Sequence, residues 1–130
     1  MNVVLDRLDP EVEKQGLTKN GLQERLEARL KDAGVPLDAS ALDFVGLRVT
    51  AVRTGRGAFA LRGTFALSFT IAVYQPVILT RDQTIRTSAA TWEVESVVMA
   101  DPKAIREASL DTVDELAGRL VSAWREVNPR

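Results

Sequence analysis

The chain contains neither cysteine nor histidine. Thiol nucleophiles, disulfides, zinc sites of the usual Cys/His kind and Ser-His or Cys-His catalysis are therefore excluded. Any enzyme built on this chain would have to work through Asp, Glu, Ser, Thr, Tyr, Lys or Arg. Aromatic residues make up only 5% of the chain, which disfavours a sheet that stacks nucleic-acid bases. No run of about 18 apolar residues occurs, so no transmembrane helix is expected. The formal net charge is −1, so bulk charge favours no class of partner. The opening "MNVVLDRLDP" lacks a basic and then apolar leader. Either the protein is cytoplasmic, or the chain begins at the mature part of an exported protein.

What is present suits one domain over residues 1–130, long enough to bury roughly 65–70% of its unfolded surface. Val3–Leu5 reads as a short first strand, followed by a charged connector, "EVEKQG". In "LTKNGLQERLEARLKDAG" Thr18 is placed to cap a helix, and Leu17 and Leu22 to staple its start. Leu22, Leu26, Leu30 and Ala33 then recur at helical spacing. Gly34 is positioned to end that helix, and Pro36 prevents its continuation.

From residue 44 the period changes to two. "FVGLRVTAV" alternates, "TGRG" supplies a turn, and "GAFALRGTFALSFTIAV" alternates again. From Phe59 the odd positions of this last stretch are large and apolar apart from Gly63, the even ones small, hydroxylated or basic. Gly63 could bend the strand, and Pro76 requires a strand end or sheet edge. "TRDQ" at 80–83 is a turn. "TIRTSAATWEVESVVM" is a further strand whose parity shifts between Ile85 and Trp92, which predicts a bulge near 89–91. Asp101 and Pro102 suit the cap and first turn of a last helix. Its apolar stripe runs Ile105, Val113, Leu116, Ala117, Leu120, Val121, Trp124, Val127. Asn128-Pro129 stop it. The expected fold class is α+β: a two-layer sandwich in β-α-β-β-β-α order, its antiparallel sheet a meander with both helices on one face.

Charge is distributed unevenly along this order. Residues 1–43 and 92–130 each carry −3, whereas residues 44–91 carry +5, entirely through Arg48, Arg53, Arg56, Arg62, Arg81 and Arg86 against Asp82. If Leu47, Leu61 and Ile85 face the core, then Arg48, Arg62 and Arg86 face away. Thr64, Ser68, Thr70 and Tyr74 share the parity of Arg62. The expected binding surface is thus an outer sheet face bearing Arg48, Arg62, Arg86, Thr64, Thr70 and Tyr74. Arginine forks suit carboxylates and phosphates, so this face would serve an acidic or anionic partner. A plain solvated face is the other reading, because one-sided antiparallel sheets look like this. Ala60, Ala66 and Ala72 would also let a second subunit approach.

Other groups carry less. Asp6, Asp9, Glu11 and Glu13 lack the glycine and ligand spacing of a calcium loop and read as a solvated connector. Asp111, Asp114 and Glu115 read as solubilising. Trp92 and Trp124 read as core. Glu93 and Glu95 can share one strand face, a weak signal for paired carboxylates. No cofactor or metal site is expected.

The runs "ATWEVESV" and "AIREASLDTVDELAGRLVSAWREVNP", with "GLTKNGLQERLEARLKDAGVPL", resemble small uncharacterised bacterial proteins of the cell envelope. The element order also resembles the α/β periplasmic domains of the CsgG and TolB N-terminal type. That resemblance implies assembly or docking rather than catalysis, and a periplasmic or envelope-associated location. It supplies no catalytic residue. The expected function is a non-enzymatic binding domain contacting a protein or an anionic envelope component. The alternatives are a homo-oligomeric structural domain paired through sheet edges and, third, a small enzyme.

Overall fold

The computed structural model describes residues 1–53 and 64–128. The expected "TGRG" turn, Gly63 and Arg62 lie outside them. The elements run β1 (Asn2–Leu5), α1 (Pro10–Glu13), α2 (Lys19–Asp32), β2 (Phe44–Arg53), β3 (Phe65–Ile78), β4 (Arg86–Ala100), a single 3-10 turn (Pro102–Ala104) and α3 (Ile105–Val127). Four strands in the order β1-β2-β3-β4 form one sheet, and the helices cover one side of it. The fold is the α+β sandwich that the alternation and stripes predict.

The pairing departs from the meander at one place. β1 runs parallel to β2, with Val3 beside Val45 and Leu5 beside Leu47, whereas the β2–β3 and β3–β4 pairs are antiparallel. Two helices, α1 and α2, separate β1 from β2, and the chain returns to the sheet in the same direction. A tight turn, which is what makes antiparallel neighbours, is absent from that connection. The "EVEKQG" stretch is also more than a connector. Its first residues belong to α1, where Asp9 Oδ1 accepts from the Glu11 amide at 2.8 Å and Val12 is buried in the core.

α2 follows its sequence closely. Thr18 Oγ1 accepts from the Gly21 amide at 2.9 Å. Leu22, Leu26 and Leu30 are fully buried, each contributing roughly 1.5–3 kcal/mol. At the other end Gly34 adopts φ 87°. Its amide donates to the Lys31 carbonyl and that of Val35 to the Leu30 carbonyl, a left-handed glycine closure.

The inward row of β3 is Phe65, Leu67, Phe69, Ile71 and Val73, all buried. α3 lays Ile105, Val113, Leu116, Ala117, Leu120 and Val121 on this layer. Trp124 and Trp92 are half-buried against the same core, and Val127 is exposed. Asp101 does not cap α3. A 3-10 turn intervenes, and the Asp101 carboxylate accepts instead from Thr64 Oγ1 at 3.4 Å.

The bulge falls where the parity shift predicts it. β3–β4 register slips between Val73 and Tyr74, which oppose Trp92 and Ala90 and leave Thr91 as the extra residue. Pro76 lies just past Tyr74, the last residue of β3 that β2 pairs. There β3 has only β4 beside it, so proline's missing N–H costs no ladder bond on the open side. Ile85 lies in the 79–85 loop at 41% exposure and does not face the core. The parity assigned to Arg86 through it therefore has no anchor there.

Candidate functional site

The helix layer leaves the other sheet face open, and the register fixes what stands on it. One row crosses the sheet as Phe44 and Tyr74, the next as Gly46, Ala72 and Glu93, the next as Arg48, Thr70 and Glu95. Then come Thr50, Ser68 and Val97, and last Val52, Ala66 and Met99. Three of these side chains are large, apolar and exposed: Val52 at 60%, Val97 at 66% and Met99 at 57%. They lie together at one end of the face.

The opposite end is built around an aromatic pair. The rings of Phe44 and Tyr74 stack with centroids 4.8 Å apart and planes 13° apart. Tyr74 reaches over Gly46, where a Cβ would come within 3.1 Å of its Cε2. Beside the stack is a shallow recess of about 290 Å³, floored by Gly46 and Ala72 and rimmed by Asp6, Arg48 and Glu93.

Of the residues expected on this surface, Arg48, Thr70 and Tyr74 do share it. Arg48 Nε donates to Asp6 Oδ2 at 3.0 Å, so its charge is already matched. Thr64 does not belong to the open surface. It is buried at 7% exposure, and its hydroxyl ties the start of β3 to the end of β4 through Asp101. Arg86 pairs with Ile78, eight residues along β3 from Thr70, which is roughly 26 Å at strand rise. Arg48 and Arg86 therefore do not form one patch.

Charge on the part of the face backed by the helices is also the reverse of the expected sign. Glu93 and Glu95 are exposed there with Asp6, against the single guanidinium of Arg48. The uneven tally along the chain missed this because a boundary at residue 91 divides β4, leaving its two glutamates with the helical segment. The β3–β4 register supplies the signal: it sets Glu93 beside Ala72 and Glu95 beside Thr70.

Two other places hold concentrated chemistry. Asp114 is no mere solubilising group. Arg25 donates to both its oxygens at 2.8 Å, and Arg29 donates to the same two at 2.9 and 3.0 Å. These hydrogen bonds, Arg25's foremost, hold the carboxyl down at about 2 against the upward push of partial burial. The two arginines sit one turn apart on α2, so the arrangement clamps α2 to α3. Secondly, a cleft of about 380 Å³ opens between the end of α3 and the bulge, flanked by Trp92, Trp124, Gln75 and Thr91. At its edge Thr91 Oγ1 donates to Gln75 Oε1 at 2.6 Å.

The acidic N-terminal group resolves into separate structural roles: Asp6 pairs with Arg48 and Asp9 caps α1.

No family model and no curated protein matches the chain. Among solved structures, a minor lipoprotein from Acinetobacter baumannii aligns with a TM-score of 0.40 and 15% identity, over 98% of this chain and 94% of that one. The rare lipoprotein B from Shewanella oneidensis aligns with a TM-score of 0.44 and 11% identity, over 98% of this chain and 96% of that one. Both are bacterial lipoproteins.

Proposed function

We propose that the chain is a non-enzymatic binding domain of the bacterial envelope that docks a protein partner on its open sheet face. The observation that carries this reading is the group of Val52, Val97 and Met99, exposed on adjoining rows at one end of a face the helices leave bare, with Ala66 between Val52 and Met99. Single exposed apolar residues are ordinary, but a contiguous group on a flat sheet marks an interaction surface. Asp6, Glu93 and Glu95 surround the single Arg48, which favours a protein surface of mixed or basic character over an anionic envelope component. The docking role agrees with what the CsgG and TolB resemblance implies, and the envelope location rests on the sequence resemblance.

The displaced ionisation equilibria among the described residues have structural causes. Asp38 and Asp82 are lowered by hydrogen bonds from Ser40 and Thr84 in their own turns. Arg25 and Arg29 are raised, and Asp114 lowered, by their mutual clamp. Each is explained by local structure.

The test is a photo-crosslinking amino acid placed at Thr50 or Ser68, on the open face, and at Glu115, on the helix layer. Open-face positions should give one discrete heteromeric adduct in cells, weakened by a Val97→Ser/Met99→Ser double variant. Adducts confined to the Glu115 position, or unaffected by the double variant, would overturn the reading.

A further inference from the structure

β4 is the last strand of the sheet. Among the described residues nothing pairs with its outer edge, so a row of backbone donors and acceptors faces outward. Proteins usually blunt such edges with charged side chains, lysine above all, proline or a bulge. β4 has its bulge at Thr91 and carries Glu93 and Glu95, but from Trp92 to Ala100 the register is regular, without lysine or proline, and Ser96–Ala100 carries no charge. Both faces of this nine-residue edge are apolar in part. Val97 and Met99 are exposed on the open side, and Trp92, Val94 and Val98 are only half-buried on the helix side.

We infer that this edge pairs antiparallel with the same edge of a second copy, making one continuous eight-stranded sheet. The warrant is self-complementarity. A two-fold pairing is isologous, so each residue must tolerate its partner in the other copy. Full overlap of Trp92–Ala100 centres the axis on Ser96. On the helix side this sets Trp92 against Ala100, Val94 against Val98 and Ser96 against itself. On the open side it sets Glu93 against Met99 and Glu95 against Val97. No carboxylate opposes another. Sliding the centre one residue toward the N-terminus sets Glu95 against Glu95, and sliding it two residues sets Glu93 against Glu95. Like charges directly opposite are destabilising. The register that pairs the most backbone is therefore also free of like-charge opposition. It keeps both helix layers on one side and doubles the length of the open face.

The experiment is sedimentation velocity across a concentration series, on the parent, Val97→Glu and Val97→Lys. The parent should dimerise. Val97→Glu creates two glutamate pairs across the axis and should weaken dimerisation tenfold or more. Val97→Lys faces Glu95 of the other copy and should dimerise within about threefold of the parent, or more tightly. Position 97 is 66% exposed, and equal thermal unfolding at dilutions where each is monomeric would show that the fold is intact. A parent that stays monomeric at several hundred micromolar overturns the inference. So does equal weakening by Lys and Glu, or a dimer indifferent to both.

Discussion

Ser109 is fully buried on the inner stripe of α3, and its hydroxyl has no hydrogen-bond partner. A buried unpaired hydroxyl costs free energy, and serine is a poorer helix former than alanine. Ser109→Ala should therefore stabilise the protein by about 1 kcal/mol, measured by urea unfolding. A loss of stability would show that the hydroxyl is satisfied in solution. At this scale the sequence was legible for some local roles, though it missed the Asp9 cap of α1 and misplaced one on Asp101. Thr18 caps α2 and Gly34 closes it, because both roles depend on residues three to five positions away. Asp114 was not legible. Its partners lie 89 and 85 residues back, and an aspartate among wet-side residues looks the same whether it is paired or solvated. The two arginines one turn apart were the only available hint.

At the scale of elements, that clamp is what makes α2–α3 packing depend on pH. The Asp114 carboxyl is held at about 2 in the folded protein, below its ordinary 3.8. A depressed folded value means that the stabilisation is complete above pH 4–5 and is lost as pH falls through 2. Solvent around Arg25 and Arg29 screens the pair, so the contribution at neutral pH is about 1–2 kcal/mol. Asp114→Asn should destabilise by that amount at pH 7, and the two proteins should converge only below pH 2, where the carboxyl is protonated in both states. A constant gap across that range would show that packing, not charge, is at stake. The end of α3 invites a second measurement. Trp124 is half-buried and packed on the core beside buried Leu120, so Trp124→Ala should cost about 2–3 kcal/mol. An unchanged melting temperature would mean that the last turn of α3 carries no packing. Element types and the bulge were readable because apolar period and parity are written along the chain. The parallel β1–β2 pair was not, because order along the chain does not specify which strands pair. Nor was the burial of Thr64, since even parity puts it nominally outward and its Asp101 contact joins residues 37 apart in the chain.

Over the whole molecule, the sheet is longer than the layer that covers it. β2 and the buried row of β3 end together near Tyr74 and Val73. Beyond them β3 and β4 continue as a two-stranded arm, from Tyr74–Ile78 through the 79–85 loop to Arg86–Ala90. Its side chains are exposed or half-buried throughout, and none belongs to the buried core. An isolated hairpin is marginally stable in water, so the arm is ordered by its root rather than by its own contacts. The bulge at Thr91 marks that root. Above it the inward row is fixed by α3, and below it the parity is free to shift because no helix reads it. The arm's amide protons should therefore exchange orders of magnitude faster than those of Leu67, Phe69 and Ile71. Replacing residues 77–87 by a short Asn-Gly turn should leave the melting temperature within a few degrees of the parent. The same excision removes Arg86 but keeps Arg48, Glu93, Val97 and Met99, so binding through the open face should survive it. A large fall in melting temperature, or protection in the arm equal to that of central β3, would show that the arm belongs to the core and that the two layers extend further than the buried residues mark.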